Sequence, residues 1–361
     1  MIVLHVGPHK TATTWLQANF HANRRALLAR GWLYPSTGER VRTAHHDLSD
    51  RPAEILDPKS RKVAELRKIG RQAGRDGLNV LLSSEGFRHW KPKHIKALRT
   101  ILGDAELHVV YAVRDPVSLL NSFWAQQVKS GAKASLPAFL DKQFQKTGKT
   151  KLLAPVRELR PYRRLPRTRL TILAYDEIRR QNRDIFDVFQ AEILHIDGLE
   201  KIETGSANER QPIEMTEFMR MLVIRTGRWK GRERVNVGRA FQYLLTEGAR
   251  NRILAAMQGA SEARRTMIVD RDQPVLHVIE RKLLKAYRDR MIPAPAGERL
   301  FLTGPETFVY YDEAALEANA AVRQLLDEMQ QRFRPDGPLI RLAEWAQAGL
   351  QRWRRFLKLF R

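Results

Sequence analysis

Short apolar runs, each bounded by charged or turn-forming residues, recur through the first half of the chain. They fall at residues 1–7 (MIVLHVG), 79–83 (NVLLS), 107–113 (LHVVYAV) and 170–174 (LTILA). Their length and continuity predict strands buried on both faces rather than strands with one wet side. The sequence between them has helical spacing, beginning with a helix from about Thr13 that carries Trp15, Leu16, Phe20, Leu27 and Leu28. Strands alternating with helices predict an α/β fold: a central, mostly parallel sheet flanked by helices. Sheets of this kind collect ligands at the carboxyl ends of their strands. Chemistry is therefore to be sought just after Val6, Ser83, Val113 and Ala174.

Beyond about residue 210 the strand signal fades. Residues 213–224, 238–257 and 275–291 have helical spacing, prolines punctuate 293–297, and no internal repeat is visible. This predicts a helical C-terminal extension, 211–340. Residues 341–361 are a separate pattern: Leu342, Trp345, Leu350, Trp353, Phe356, Leu357 and Phe360 recur at helical steps. The same stretch holds six Lys or Arg against one acid, Glu344. A basic amphipathic helix either docks on the body or lies on an anionic membrane surface.

Composition narrows the classes. A chain of 361 residues makes one large or two modest domains. With 64 Lys and Arg against 40 Asp and Glu, the net charge of +24 calls for an anionic partner: nucleotide, acidic glycan, nucleic acid or membrane headgroups. The absence of cysteine excludes disulfide scaffolds, thiolate nucleophiles and cysteine-held zinc. The opening residues lack the basic and apolar regions of a signal peptide, and no apolar run approaches the roughly 20 residues of a membrane span. The expectation is a cytoplasmic protein, peripheral on the inner face of the membrane if the tail docks there.

Gly7-Pro8-His9-Lys10-Thr11-Ala12-Thr13-Thr14 lies between the first strand and the first helix. Such a turn aims backbone N–H groups at one point, while Lys10 adds positive charge and the threonines add hydroxyls, so it is a candidate anion site. A nucleotide-kinase loop would have glycine before the lysine and an acid at the end of a nearby strand. Here those positions hold His9 and Arg114. The turn instead resembles the 5′-phosphosulfate loop of sulfotransferases that use 3′-phosphoadenosine 5′-phosphosulfate (PAPS), whose core is Lys-Thr-Gly-Thr-Thr; Ala12 stands at the glycine. Arg114 closing a strand, with Ser122 eight residues later, resembles that family's clamp on the 3′-phosphate. Tyr175 in Tyr175-Asp176-Glu177 resembles the residue beside its adenine.

The resemblance covers roughly residues 1–210, with a fainter echo from Ala318-Asn319 to Arg334-Pro335-Asp336. It implies a P-loop-like, PAPS-binding sulfotransferase core at 1–210, with 211–340 completing the core and the acceptor site. Gly7, His9, Lys10, Thr11, Ala12, Thr13, Thr14, Arg114, Ser122 and Tyr175 would then bind PAPS. Residues 227–232 or 208–210 are the candidate basic lid over the 3′-phosphate. Sulfuryl transfer proceeds in line and demands no divalent metal, with Lys10 neutralising the leaving phosphate. The acceptor, a hydroxyl or amine on a carbohydrate or glycolipid, needs a base. Glu85, in Ser83-Ser84-Glu85 at a strand end, is the first candidate, and His46 or its neighbour His45 is the rival.

Two other classes compete. A P-loop kinase would share the fold. A nucleic-acid-binding protein would use residues 157–169 and 225–239, each with six basic residues and one acid. No zinc module or RNA-binding signature supports the latter, so nucleic acid is the less favoured partner.

Overall fold

The structure, a computed structural model, describes residues 1–8, 10–36, 43–146, 150, 152–202, 211–226 and 237–334. Its strands are β1 (Ile2–His5), β2 (Trp32–Leu33), β3 (Asn79–Ser83), β4 (Leu107–Val113), β5 (Thr168–Ala174), β6 (Arg264–Asp270), β7 (Met291–Ile292) and β8 (Pro305–Tyr311). Six of them form one parallel sheet in the order β2-β3-β1-β4-β5-β7. The protein is thus α/β, with a central parallel sheet flanked by helices. Every residue of β1 and β4 is buried, which is why these strands read as unbroken apolar runs.

The chain forms two compact units from interleaved segments. The first combines Met1–Leu119, Lys146–Ala207 and Asp272–Thr303; the second combines Leu120–Gln145, Asn208–Arg271 and Gly304–Arg361. The first unit contains the whole six-stranded sheet. Its helices include α1 (Thr13–Ala22), α2 (His46–Ser49), α3 (Arg61–Arg75), α4 (Pro92–Ile101), the first residues of α5 (Pro116–Lys129), α6 (Pro155–Arg163), α7 (Tyr175–Arg180) and α8 (Pro274–Tyr287). Pro92, Pro155 and Pro274 open their helices, where the missing N–H costs nothing. Asp115 caps α5 by accepting from the Ser118 N–H at 2.8 Å.

Side chains alternate across the sheet. Val3, Leu81, Val110 and Leu173 share one core with Leu16 and Phe20 of α1 and with Phe186 and Phe189. The Phe20 ring lies 4.9 Å from Phe189 and 5.8 Å from Phe186. Each such ring contributes about 1.5–3 kcal/mol by burial. The neighbouring strand residue Tyr111 serves a polar tie instead: its hydroxyl donates to Glu158 of α6 at 2.7 Å, and Arg88 pairs with the same carboxylate. All three side chains are buried, so α6 is fixed to the sheet by a satisfied network.

The second unit packs helices Ile213–Thr226, Val237–Leu244, Glu247–Gly259 and Ala320–Arg332 with an antiparallel pair, β6 and β8. Arg220, fully buried, pairs with Glu217 and Glu313 at 2.5 Å each and donates to the Lys133 carbonyl at 3.2 Å. A guanidinium taken out of water depends on such partners, although Arg220 Nη2 has none among the described residues. No helix among the described residues is long and apolar enough to cross a membrane.

The strands expected at 1–7, 79–83, 107–113 and 170–174 are β1, β3, β4 and β5. The fading of strand signal after residue 210 is corrected by β6, β7 and β8. Six of the seven residues of β6 are exposed or half-buried, so it has no apolar run, and β7 is two residues long. The expected helix 238–257 is broken at Leu245-Thr246, where the Thr246 hydroxyl caps the following helix. The first helix likewise ends at Ala22, and Leu27 and Leu28 belong to a separate helix, Arg24–Ala29.

Three buried histidines make the fold acid-sensitive. Burial lowers His5, His45 and His108 to about 4 each. They stay neutral in the folded chain but bind protons when unfolded below about 6.5. Stability is therefore full above that pH and is lost as pH falls toward 4, by up to about 3 kcal/mol per histidine. Asp176, pushed up to about 6 by its burial, works the other way over part of this range. Urea denaturation at a series of pH values should show stability dropping from pH 7 to pH 4.5. A flat profile would mean that these imidazoles are charged in the folded protein.

Candidate functional site

The turn after β1 is built by contacts that leave little freedom. A Cβ on Gly7 would lie 3.1 Å from His5 Nε2 and 3.3 Å from Thr13 Cγ2, so the chain passes there without a side chain. Lys10 and Ala12 are both left-handed, with φ of 70° and 58°. Alanine holds that conformation at a cost of about 1–2 kcal/mol, which glycine would not incur. Ala12 is the N-cap of α1, and no side chain among the described residues caps this helix. Its first N–H groups are thus not taken by a capping oxygen, the arrangement that favours an anion.

The three threonines divide their work. Thr11 donates to the Pro8 carbonyl at 2.9 Å and closes the turn. Thr13 donates to Glu85 Oε1 at 2.5 Å. Thr14 is the exposed one. His9 lies outside the described residues.

Strand register brings the other candidates to the turn. Val113 of β4 is paired with Ala174 of β5, so Arg114 and Tyr175 leave the sheet side by side. His5 is paired with Val110, so β4 continues past the end of β1. Arg114 Nη1 then donates to the Lys10 carbonyl at 2.9 Å, and its guanidinium lies 5.3 Å over the Tyr175 ring. Arg114 Nε is buried and has no hydrogen-bond partner among the described residues. Behind it, Asp176 accepts from the Asp115 N–H at 2.5 Å. Desolvation raises the Asp176 carboxyl, and the Asp115 charge adds to this. Ser122 is half-buried on α5, in the part of that helix belonging to the second unit.

On the other side of β1, His5 is paired with Ser83, which sets Ser84-Glu85 beside the turn. Glu85 is 5 % exposed. Besides Thr13 it accepts from Gln17 Nε2 at 3.1 Å, so two residues of α1 hold its carboxylate. His46 Nε2 stands 3.8 Å from Glu85 Oε2, and its Nδ1 is 2.8 Å from Ser84 Oγ. The His46 side chain is 48 % exposed. Ser84 Oγ also meets Ser49 Oγ at 2.7 Å and accepts from the Gly86 N–H. Gly86 has no room for a side chain, since a Cβ would lie 2.2 Å from Ser49 Oγ.

His45 is a correction to its expected place in a substrate-facing loop. It is buried, its Nδ1 accepts from the Ser83 N–H at 3.0 Å, and its Nε2 donates to the Pro35 carbonyl at 2.9 Å. That pattern is the neutral imidazole, in keeping with its lowered pKa. It continues the polar edge of β3 as a structural strut.

The structure therefore gathers Gly7, Lys10, Thr11, Ala12, Thr13, Arg114 and Tyr175 on one side and Glu85 with His46 on the other, all in the first unit. Two contributors were missed from sequence. Gln17 is a polar residue next to Leu16 on the buried face of α1, which also carries the buried Thr13 and Asn19. Asp176 carried no signal beyond its place next to Tyr175. The candidate lids 208–210 and 227–232 lie outside the described residues, as do Pro335-Asp336 and the tail 341–361. No group of three or more His, Asp or Glu able to hold a metal occurs among the described residues. Compared with protein-family models, curated proteins and solved structures, the chain matches none.

The Thr13–Glu85 bond gives a direct test of how the turn is held. Thr13→Val removes a donor from a buried carboxylate and should cost about 1.5–3 kcal/mol in urea denaturation. Thr13→Ser should stay within about 1 kcal/mol of the parent. Equal losses for both would mean that the methyl group, not the hydroxyl, matters.

Proposed function

We propose that the protein is a PAPS-dependent sulfotransferase acting on a hydroxyl or amine of a carbohydrate or glycolipid. The observation that carries this reading is the joining of Arg114 to the Lys10 turn and to Tyr175 at adjacent strand ends. A left-handed turn with uncapped helix N–H groups fits one phosphate-like group. A guanidinium with its Nε unengaged, beside an aromatic ring, fits a second phosphate next to a base. A donor with two separate anionic groups and an adenine matches both halves. A magnesium-dependent kinase would want an acid where Arg114 stands.

The donor supplies an activated sulfuryl group and a phosphate leaving group. The residues of this chain then have definable tasks. Lys10, on the turn, offsets negative charge as the bond from sulfur to the leaving oxygen breaks. As the new bond from sulfur to the acceptor forms, the acceptor O–H or N–H bond breaks and its proton passes to the Glu85–His46 pair. Glu85 is buried and held by Thr13 and Gln17, whereas His46 is open to solvent, so the imidazole is the member an acceptor meets. Base assistance of this sort is worth about 10²–10⁴ in rate.

Calorimetric titration with adenosine 3′,5′-bisphosphate, set against ATP with Mg²⁺ at the same salt, tests the assignment. The bisphosphate should bind preferentially, and Lys10→Ala and Arg114→Ala should each weaken it about tenfold or more. Preference for Mg-ATP would overturn the reading in favour of the kinase. With radiolabelled donor and a panel of glycans, Glu85→Gln and His46→Asn should each keep bisphosphate affinity within a few-fold and lower turnover about 10²–10⁴. Normal turnover in both variants would remove the pair from the mechanism.

A further inference from the structure

The arginine-rich stretch 157–169 plays no part in the site above, yet the structure gives it a setting. Helices α6 and α8, which lead into β5 and β7, enclose a cleft of about 1060 Å³ within the first unit. Leu153, Val156, Val275 and Val278 are among its apolar lining, and Val278 is 37 % exposed. Arg157, Arg160, Arg163 and Arg164 from α6 and its end, with Lys282 from α8, also line it. All five cations are exposed, and none forms an ion pair with an acid among the described residues. Glu158, the acid within the same stretch, points the other way and is consumed by Arg88 and Tyr111.

We infer that this cleft binds a single anionic amphiphile, its aliphatic chain between α6 and α8 and its phosphate or carboxylate head among the arginines. The two halves of the lining carry the inference together. A cavity at the upper end of the usual ligand-pocket range, walled by aliphatic side chains, removes a chain from water. A row of guanidinium groups without acidic partners takes an oxyanion through paired N–H donors. A nucleic acid would use the charge but not the aliphatic walls. It would also want exposed aromatic faces for its bases, and the one aromatic lining residue, Tyr287, is buried, with Arg163 lying 6.0 Å over its ring.

The test uses the full chain and dodecyl phosphate below its micelle concentration, read by calorimetry and by displacement of a fluorescent fatty acid. One saturable site is expected. Dodecanol and inorganic phosphate should each bind at least tenfold more weakly, since each offers half of the ligand. Val278→Asp, at an exposed position, and the pair Arg160→Glu with Lys282→Glu should each reduce dodecyl phosphate binding at least tenfold. Affinity for adenosine 3′,5′-bisphosphate should be unchanged in these variants, which shows that they fold and separates this inference from the proposed transferase reading. Equal binding of dodecanol and dodecyl phosphate, or no effect of Val278→Asp, would overturn it. So would tight binding of an oligonucleotide that competes with the fatty acid and survives Val278→Asp, which would make the surface a polyanion site.

Discussion

The candidate site depends on one buried carboxylate. Glu85 leaves the end of β3 and is gripped by Thr13 and Gln17 from α1. A charged group out of water must be surrounded by donors, and here those donors lie on the first turns of the helix that follows the Lys10 turn. The left-handed residues Lys10 and Ala12 are held by this tether together with the Thr11–Pro8 and Arg114–Lys10 hydrogen bonds. Glu85 thus stands between the turn, through Thr13 and Gln17, and His46, 3.8 Å away on its other side.

Much of this arrangement was legible in the sequence because it rests on strands buried on both faces. β1, β3, β4 and β5 announce themselves as apolar runs, and parallel pairing then sends the residues after each run to one edge. Arg114 and Tyr175 needed no more than that register to meet. What was not legible depends on packing that periodicity does not encode. β6 carries one fully buried residue and β7 is two residues long, so neither leaves a pattern. His45 and His46 are adjacent and chemically identical, yet one is sealed against β3 and the other is open, because successive residues at a helix start face different ways. The cleft between α6 and α8 was visible as charge alone; its second wall, with Val275 and Val278, comes from residues more than a hundred positions away.

The strong basic character also acquires a more specific meaning. Arg88 and Arg220 are buried and paired with acids, so they belong to the architecture. Arg114 is shared between a backbone carbonyl and an aromatic ring, with donor capacity in reserve. The arginines of α6 line a cavity and pair with no acid among the described residues. Three populations of the same residue type thus serve packing, the proposed donor site and the proposed amphiphile cleft, and net charge alone does not distinguish them.

The interleaving of the two units has a consequence for how the chain is made. The edge strand β7 pairs with β5 across more than a hundred intervening residues, most of which belong to the other unit. A ribosome releases β1 through β5 long before it releases β7. The growing chain therefore exposes an unfinished edge on β5 while the second unit is being synthesised. Closing such a long loop is slow, and an open strand edge during that wait invites pairing with another nascent chain. Chaperone demand during synthesis thus follows from the strand order rather than from any weakness of the finished fold.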